Sequence, residues 1–188
     1  MVRDLELFSK RARLNTPASA TDIDEERAPS PDTHSMPPEA STMGVIERVD
    51  MINFMCHRNL SITLGPRINF IIGHNGSGKS AILTAITVTL GGKAQTTSRG
   101  SSLKDFILEG AQAAEVRVRL RNGGSDAYRP DLYGDAINIE RRIHSDGSGS
   151  WKIKNADGKT ISTKREELDA ICDHANIQVD NPMNILSQ

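Results

Sequence analysis

The 188-residue chain is long enough for one domain with a packed core. Its formal net charge is −1, so a nucleic-acid partner would contact a local basic patch rather than a globally basic protein. The two cysteines lack the paired spacing of a zinc site or a disulfide framework. No run of apolar residues is long enough to predict a membrane-spanning helix, and the N-terminal residues do not resemble a signal peptide.

Residues 1–43 are rich in proline and acidic, and apolar residues are sparse after Leu14. Such a segment cannot bury enough surface to offset its ordering entropy, so we predict a disordered tail. An alternative for residues 5–14 is a short amphipathic helix that docks on a partner. The structured domain is predicted to cover residues 44–188.

The sequence before residue 81 predicts three strands and a glycine-rich loop. Residues 44–54 and 60–64 alternate between apolar and polar side chains, as half-buried strands do. Residues 68–72 are nearly all apolar, which predicts a strand at the buried centre of a sheet. The polar residues 55–59 lie between the first two strands. Within them, His57 or Arg58 is a candidate for contact with a nucleotide base or ribose, and a solvated turn is the alternative.

The loop that follows the third strand has the pattern of a phosphate-binding P-loop, with a predicted helix at residues 81–90 after it. Its backbone N–H groups should converge on an anion. Lys79 should reach the β- and γ-phosphates of a nucleotide, and Ser80 should bind Mg²⁺. The alternative is a glycine-rich turn that binds nothing. The predicted cofactor-binding residues of the loop are Gly73, His74, Asn75, Gly76, Ser77, Gly78, Lys79 and Ser80.

The helix at residues 81–90 carries a predicted packing stripe of Ile82, Ile86 and Leu90, with Leu83 alongside, and Gly91-Gly92 ends it. A polar loop follows, with Lys93 and Arg99 as its basic residues. Arg99 stands among small polar residues, a setting that suits contact with a DNA phosphate, and a solvated loop charge is the alternative.

An antiparallel meander is predicted after a short helix at residues 103–108. Residues 114–121 alternate strictly, with apolar residues on one side and an arginine row on the other; this row is either a nucleic-acid face or simply the solvent side of a strand. Residues 136–143 and 150–154 predict two more strands, with Trp151 packed rather than offered as a stacking platform. A capping box at residues 163–166 predicts a helix, followed by a short strand or an extended link at residues 177–180.

The P-loop and four further stretches together resemble the N-terminal ATPase lobe of structural maintenance of chromosomes (SMC) proteins. Within that family they are most similar to the sixth eukaryotic subunit, the partner of the fifth. The resemblance implies an α/β fold, a P-loop NTPase of the ABC/SMC head type, with a mixed sheet that includes the antiparallel β meander. The four stretches are residues 53–57, 97–106, 133–141 and 180–188.

The resemblance implies further roles and partners. Gln188 matches the Q-loop glutamine, which helps to bind Mg²⁺ and sense the γ-phosphate. Arg99 matches an arginine loop that touches nucleotide or DNA, and Lys93 of the same loop is a second DNA candidate. The family acts in the nucleus, on chromosomes, in recombinational DNA repair. It works through ATP-driven engagement of its head with that of the fifth subunit, together with kleisin-type and other non-SMC subunits.

The family's active site also needs a C-terminal lobe with a metal-binding and catalytic-base motif, a signature contributed across the dimer, coiled-coil arms and a hinge. None of these occurs in the 188 residues, so no catalytic residue is assigned. We expect the N-terminal lobe only, which binds ATP weakly and does not turn it over without the C-terminal lobe. The alternatives are a non-catalytic nucleotide-binding or interaction module, or a different P-loop NTPase. Asp131–Gly134 matches a GTPase D-x-x-G, but no N-K-x-D follows.

Overall fold

The computed structural model describes residues 42–97, 99–179 and 181, so Gln188 and nearly all of the predicted tail lie outside the described residues. The strands are β1 (Ile46–Phe54), β2 (His57–Thr63), β3 (Ala113–Arg121), β4 (Ala136–His144), β5 (Gly149–Lys154) and β6 (Thr160–Ser162). The helices are α1 (Lys79–Thr89), α2 (Pro130–Tyr133) and α3 (Arg165–His174), with 3₁₀ turns at Ala94–Thr97 and Leu103–Phe106. No helix in the described part of the chain is long and apolar enough to cross a bilayer.

The strands form one antiparallel sheet in the order β2-β1-β3-β4-β5-β6. The predicted meander is therefore present, and it continues directly from β1. The connection from β2 to β3 contains the glycine-rich loop and α1, and α1 packs on β1, β3 and β4. This topology holds the N-terminal end of α1 and the loop before it against the sheet.

The core lies between α1 and one face of the sheet. Apolar side chains of β3 alternate as predicted, with Val116, Val118 and Leu120 fully buried. The predicted stripe of α1 needs one correction. Leu83 is 38% exposed, and small residues take its place against the sheet because α1 lies close to the strands. The buried residues of this helix are Ala81, Ile82, Thr84, Ala85, Thr87, Val88 and Thr89.

The arginine row of β3 lies on the opposite face of the sheet, where acidic side chains neutralise it. Arg119 and Arg121 both donate to Glu47 of β1, at 3.1 and 2.7 Å. The Arg117 guanidinium lies 3.5 Å from Glu140 of β4. These ion pairs support the solvent-side alternative for the row rather than a free basic face.

Glu140 is the most buried carboxylate of this outer face, and its loss should destabilise the sheet. It is 7% exposed, and it accepts a 2.6 Å hydrogen bond from Lys154 with Lys152 and Arg117 nearby. Burial raises the pKa of Glu140, but the bond and charge of Lys154, with the other two cations, outweigh it and lower the pKa overall. Glu140→Gln should lower the free energy of unfolding at pH 7 by about 1.5–3 kcal/mol, the cost of a lost charged hydrogen bond.

A carboxyl group whose pKa is lower in the folded protein than in the unfolded one stabilises the fold at pH values above its unfolded pKa of about 4.3. This stabilisation is lost as the pH falls through the pKa of the folded state. The difference in free energy of unfolding between wild type and Glu140→Gln, measured with urea, should therefore decrease from pH 7 to pH 3. Glu109→Gln, at an exposed position, is the control. An increase of this difference on acidification would contradict a lowered pKa of Glu140 in the folded protein.

The predicted central strand at residues 68–72 is wrong for the structure. These residues form no strand, and Ile68, Phe70 and Ile72 are 80%, 69% and 66% exposed. Only Ile71 packs against the core. A strand needs a hydrogen-bonding neighbour, and the six described strands pair only with one another. The parallel part of the expected mixed sheet is accordingly not seen among the described residues.

Smaller elements also differ from prediction. The α3 helix is preceded by Lys164 as its N-cap without a side-chain cap bond, so the capping box at residues 163–166 does not form. Residues 177–179 are not a strand, and β6 was not predicted. The D-x-x-G sequence forms α2, where Tyr133 is buried and donates a 2.8 Å hydrogen bond to Glu167 of α3. That sequence has a structural role here.

Candidate nucleotide-binding site

The glycine-rich loop, residues 73–78, leads directly into the first turn of α1. Gly78 is the N-cap of the helix and has left-handed backbone angles, with φ of 85°. Gly76 is also left-handed, with φ of 83°. These conformations are readily open only to glycine. The loop they shape meets the positive end of α1, where a helix favours an anion such as a phosphate, and within it the Ser77 N–H donates to the His74 carbonyl oxygen at 3.1 Å.

The side chains of the loop fit a phosphate ligand. The Lys79 ammonium donates to the carbonyl oxygens of Gly73 and His74, at 2.7 and 2.9 Å, and so lies across the loop. The Ser77 hydroxyl is buried and has no hydrogen-bond partner. A Cβ placed on Gly76 would meet no atom within 4 Å, so space lies open beside the loop. An unsatisfied buried hydroxyl and a lysine resting on neutral carbonyls both gain from an anion.

The floor of the loop is the turn between β1 and β2, which sequence reasoning described as a polar connection. It is a tight turn, with Asn53 and Met55 both at φ of 50°, and His57 already belongs to β2. His57 is 5% exposed, and its Nε2 lies 3.3 Å from the Gly78 carbonyl oxygen. The expected contact of His57 with a base or ribose is therefore corrected, because the ring is buried beneath the loop and supports it. Arg58, the other candidate, is exposed on β2.

Gly78→Ala should damage this site far more than Gly76→Ala. A Cβ at Gly78 would lie 2.1 Å from Nε2 of His57 and 2.6 Å from Sγ of Cys56, whereas one at Gly76 meets only open space. Both changes carry about 1–2 kcal/mol of left-handed backbone strain, and only the first adds the clash. We expect Gly76→Ala to lower ATP affinity less than about tenfold. Gly78→Ala should leave no measurable binding of a fluorescent ATP analogue. Equal losses of ATP affinity in the two variants would contradict the packing of His57 beneath the loop.

Arg99 and Ser80, predicted separately, come together in the structure. The Arg99 guanidinium donates a 3.0 Å hydrogen bond to the Ser80 hydroxyl, and both side chains are exposed. Ser80 is the residue predicted to bind Mg²⁺, so the predicted metal contact and the predicted DNA contact lie side by side. Lys93 is not part of this arrangement, because it lines a pocket that also contains Gly91 and Gly92, beyond the C-terminal end of α1. Gln188 lies outside the described residues.

Comparison with known families matches this arrangement to an ATPase domain. The family model described as an AAA domain matches residues 48–188, which include the loop, α1 and all of the sheet except the first two residues of β1. The matched range also includes the turn that carries His57 and the segment with Arg99. The P-loop of this chain thus lies within a matched AAA domain and is not an isolated short motif.

Similar proteins share a name. The chain is 53% identical over 146 residues to structural maintenance of chromosomes protein 6 of Schizosaccharomyces pombe, with 78% of this chain and 13% of that protein covered. It is 51% identical over 150 residues to the human protein of the same name, with 79% and 14% covered. The chain therefore spans about one seventh of the length of these relatives, at 13% and 14%.

Solved structures give the same family at lower identity. A chain from work on the ATP-driven dimerization and DNA-stimulated activation of SMC ATPases aligns with a TM-score of 0.65 and 30% identity, covering 76% of this chain and 86% of that one. The Pyrococcus furiosus Smc head bound to the C-terminal domain of ScpA aligns with a TM-score of 0.57 and 29% identity. It covers 74% of this chain and 35% of that one.

Proposed function

The chain belongs to the structural maintenance of chromosomes family, and from this premise we propose that it is the ATP-binding half of a chromosome ATPase head acting in DNA repair and recombination. Its fold is the N-terminal, P-loop-bearing lobe of an SMC-type head. The observation that carries the proposal is the left-handed glycine loop at the start of α1, with Lys79 lying across it. The matches at about 50% identity, to proteins named as the sixth SMC protein, support the cellular role.

Each residue of the loop has a defined task in this proposal. The backbone N–H groups and Lys79 bind the β- and γ-phosphates of ATP, and Ser77 fills its free hydrogen-bonding capacity on a phosphate oxygen. Ser80 holds the Mg²⁺ that neutralises phosphate charge, and Gln188 is assigned as a second metal contact from the family pattern. A cation held by Ser80 would compete with the Arg99 guanidinium for the hydroxyl oxygen, and a displaced Arg99 would be available for an anionic contact.

We assign the exposed segment at residues 68–72 as the docking surface for the C-terminal lobe of the same head. Ile68, Phe70 and Ile72 are strongly exposed, whereas Ile71 packs against the core. Exposing three large apolar side chains of one segment to water is unfavourable, so such a patch marks an interaction surface. A strand from a second lobe would pair with this segment and cover them. The predicted buried central strand would then form in the assembled head.

The further partners of the proposal are the fifth SMC subunit, a kleisin-type subunit and DNA on chromosomes in the nucleus. Support comes from the solved relatives, one described by ATP-driven dimerization and DNA-stimulated activation and one bound to ScpA. Arg99, and not the neutralised arginine row of β3, is the residue we assign to DNA or nucleotide contact at the engaged surface.

ATP hydrolysis by the chain with and without a C-terminal lobe tests the proposal. We expect no hydrolysis above the Lys79→Ala background from the 188-residue chain, and ATP-dependent hydrolysis when a cognate C-terminal lobe and the partner head are added. Hydrolysis by the chain on its own that Lys79→Ala abolishes would show a complete enzyme and sink the split-head proposal. ATP-dependent binding to a partner head without hydrolysis in the full assembly would instead identify a non-catalytic interaction module.

A further inference from the structure

A second cationic pocket lies at the opposite end of α1 from the P-loop. Its volume is about 360 Å³, and it is lined by the glycines after α1, by residues 93–95 and 101–103, and by residues of β4, β5 and α3. An α-helix of 11 residues is about 16 Å long, so this pocket is separate from the P-loop. The described residues that line it include three cations, Lys93, Arg141 and Arg165, and no carboxylate.

Arg141 is the centre of this pocket and is buried without an anion. It is 5% exposed, and its Nε and Nη1 atoms are buried without any hydrogen-bond partner. Its guanidinium carbon lies 3.2 Å from the centre of the Trp151 ring. Stacking on an aromatic ring satisfies one face of a guanidinium and leaves its in-plane N–H donors unused. A buried cation with free donors is costly unless an anion completes it.

The surroundings of Arg141 hold it in place and add positive charge. The Trp151 indole N–H donates to the Thr89 carbonyl oxygen at 3.1 Å, which fixes the ring under the guanidinium. Arg165 lies 5.1 Å from the same ring, donates to the Gly91 carbonyl oxygen at 2.9 Å, and forms a 2.8 Å ion pair with Asp169 on its outer side. Burial and the charge of Arg165 lower the pKa of Arg141 to about 10, so it remains a cation at neutral pH. Two guanidinium groups thus share one aromatic platform.

We infer that this pocket is a binding site for a phosphate dianion, carried either by free inorganic phosphate or by a phosphorylated side chain. Because Arg141 is recessed, a single phosphate group, free or at the end of a side chain, can reach it more easily than a phosphate within a continuous nucleic-acid backbone. The in-plane donors of Arg141 match the oxygens of such a group, and Arg165 supplies the second charge. Ser101 and Ser102 line the same pocket, and the Ser101 hydroxyl donates to Asp105 at 3.1 Å.

Trp151 is the single tryptophan of the sequence, so its fluorescence reports on this pocket directly. The 188-residue chain with Lys79→Ala, which weakens phosphate binding at the P-loop, is titrated with inorganic phosphate. A second titration uses a phosphoserine peptide, with its unphosphorylated form and sodium chloride as references. We expect saturable fluorescence changes with one or both phosphate ligands. Saturation by the peptide only identifies a phosphorylated side chain as the source, and saturation by the ion identifies free phosphate.

Arg141→Met and Arg142→Met form the matched pair of variants. Arg142 is the next residue of β4 and is exposed on the other face, so both variants lose one charge and only one touches the pocket. Arg141→Met should weaken phosphate binding at least about tenfold, and Arg142→Met less than about twofold. Far-UV circular dichroism checks the fold. Should Arg141→Met not fold, Arg165→Gln in its place should weaken binding at least about threefold.

Three results would overturn the inference. One is a fluorescence change that sodium chloride reproduces at equal ionic strength. Another is equal phosphate affinity in the Arg141→Met and Arg142→Met variants, or an Arg165→Gln variant that binds like the parent. The third is the absence of a saturable response to either phosphate ligand in a folded chain.

Discussion

Lys79→Ala is expected to lower the affinity for ATP about 100-fold. The Lys79 ammonium now rests on the Gly73 and His74 carbonyl oxygens, at 2.7 and 2.9 Å, and it is placed to exchange these neutral acceptors for phosphate oxygens. A hydrogen bond to a charged group contributes about 1.5–3 kcal/mol, and every 1.4 kcal/mol is tenfold in affinity. Equilibrium titration with a fluorescent ATP analogue, with and without Mg²⁺, measures the loss.

Lys104→Ala is the matched control, because Lys104 is exposed on the second 3₁₀ turn and should leave affinity unchanged. Unfolding curves for both variants show whether a loss of binding reflects a loss of fold. We expect Lys79→Ala to unfold within about 1 kcal/mol of wild type, since it loses only bonds within an exposed loop. An unchanged ATP affinity in folded Lys79→Ala would remove the P-loop from the proposed function.

The parts of the fold that the sequence predicted well are those governed by local periodicity. Strict alternation in residues 114–121 reports which side of β3 is buried, and Val116, Val118 and Leu120 are fully buried. The glycine spacing of the P-loop reports backbone angles that few other residues adopt, so Gly76 and Gly78 were placed correctly as loop residues. Both signals arise within a few residues and do not depend on distant neighbours.

The parts that failed depend on contacts distant in sequence. The apolar segment at residues 68–72 has the composition of a buried strand, but the described residues provide no strand to pair with it. The burial of His57 beneath Gly78 is fixed by a two-residue turn whose tightness polar composition does not reveal. The pairing of Arg99 with Ser80 joins residues 19 positions apart across a helix. The residue types were sufficient to identify His57 and Arg99 as candidates. Their contact partners are determined by the three-dimensional fold.

Phe70→Asp is expected to abolish association of the chain with the C-terminal lobe of the head. Phe70 is 69% exposed and lies between Ile68 and Ile72, which are similarly exposed. Burying a large apolar side chain contributes about 1.5–3 kcal/mol, and an unpaired carboxylate buried in its place costs several more. Affinity should fall about a thousandfold, which corresponds to about 4 kcal/mol. Co-purification of the two lobes and calorimetric titration measure the change.

The stability of the free chain separates docking from folding in this experiment. Because Phe70 contributes little to the described core, Phe70→Asp should change the free energy of unfolding by less than about 0.5 kcal/mol. Leu132→Asp on α2 is the control, since it places the same charge at another exposed apolar position, 37% exposed, outside the proposed docking surface. A Phe70→Asp chain that still binds the C-terminal lobe would show that residues 68–72 are not its docking surface, because a charge cannot remain at the centre of a strand buried between two lobes.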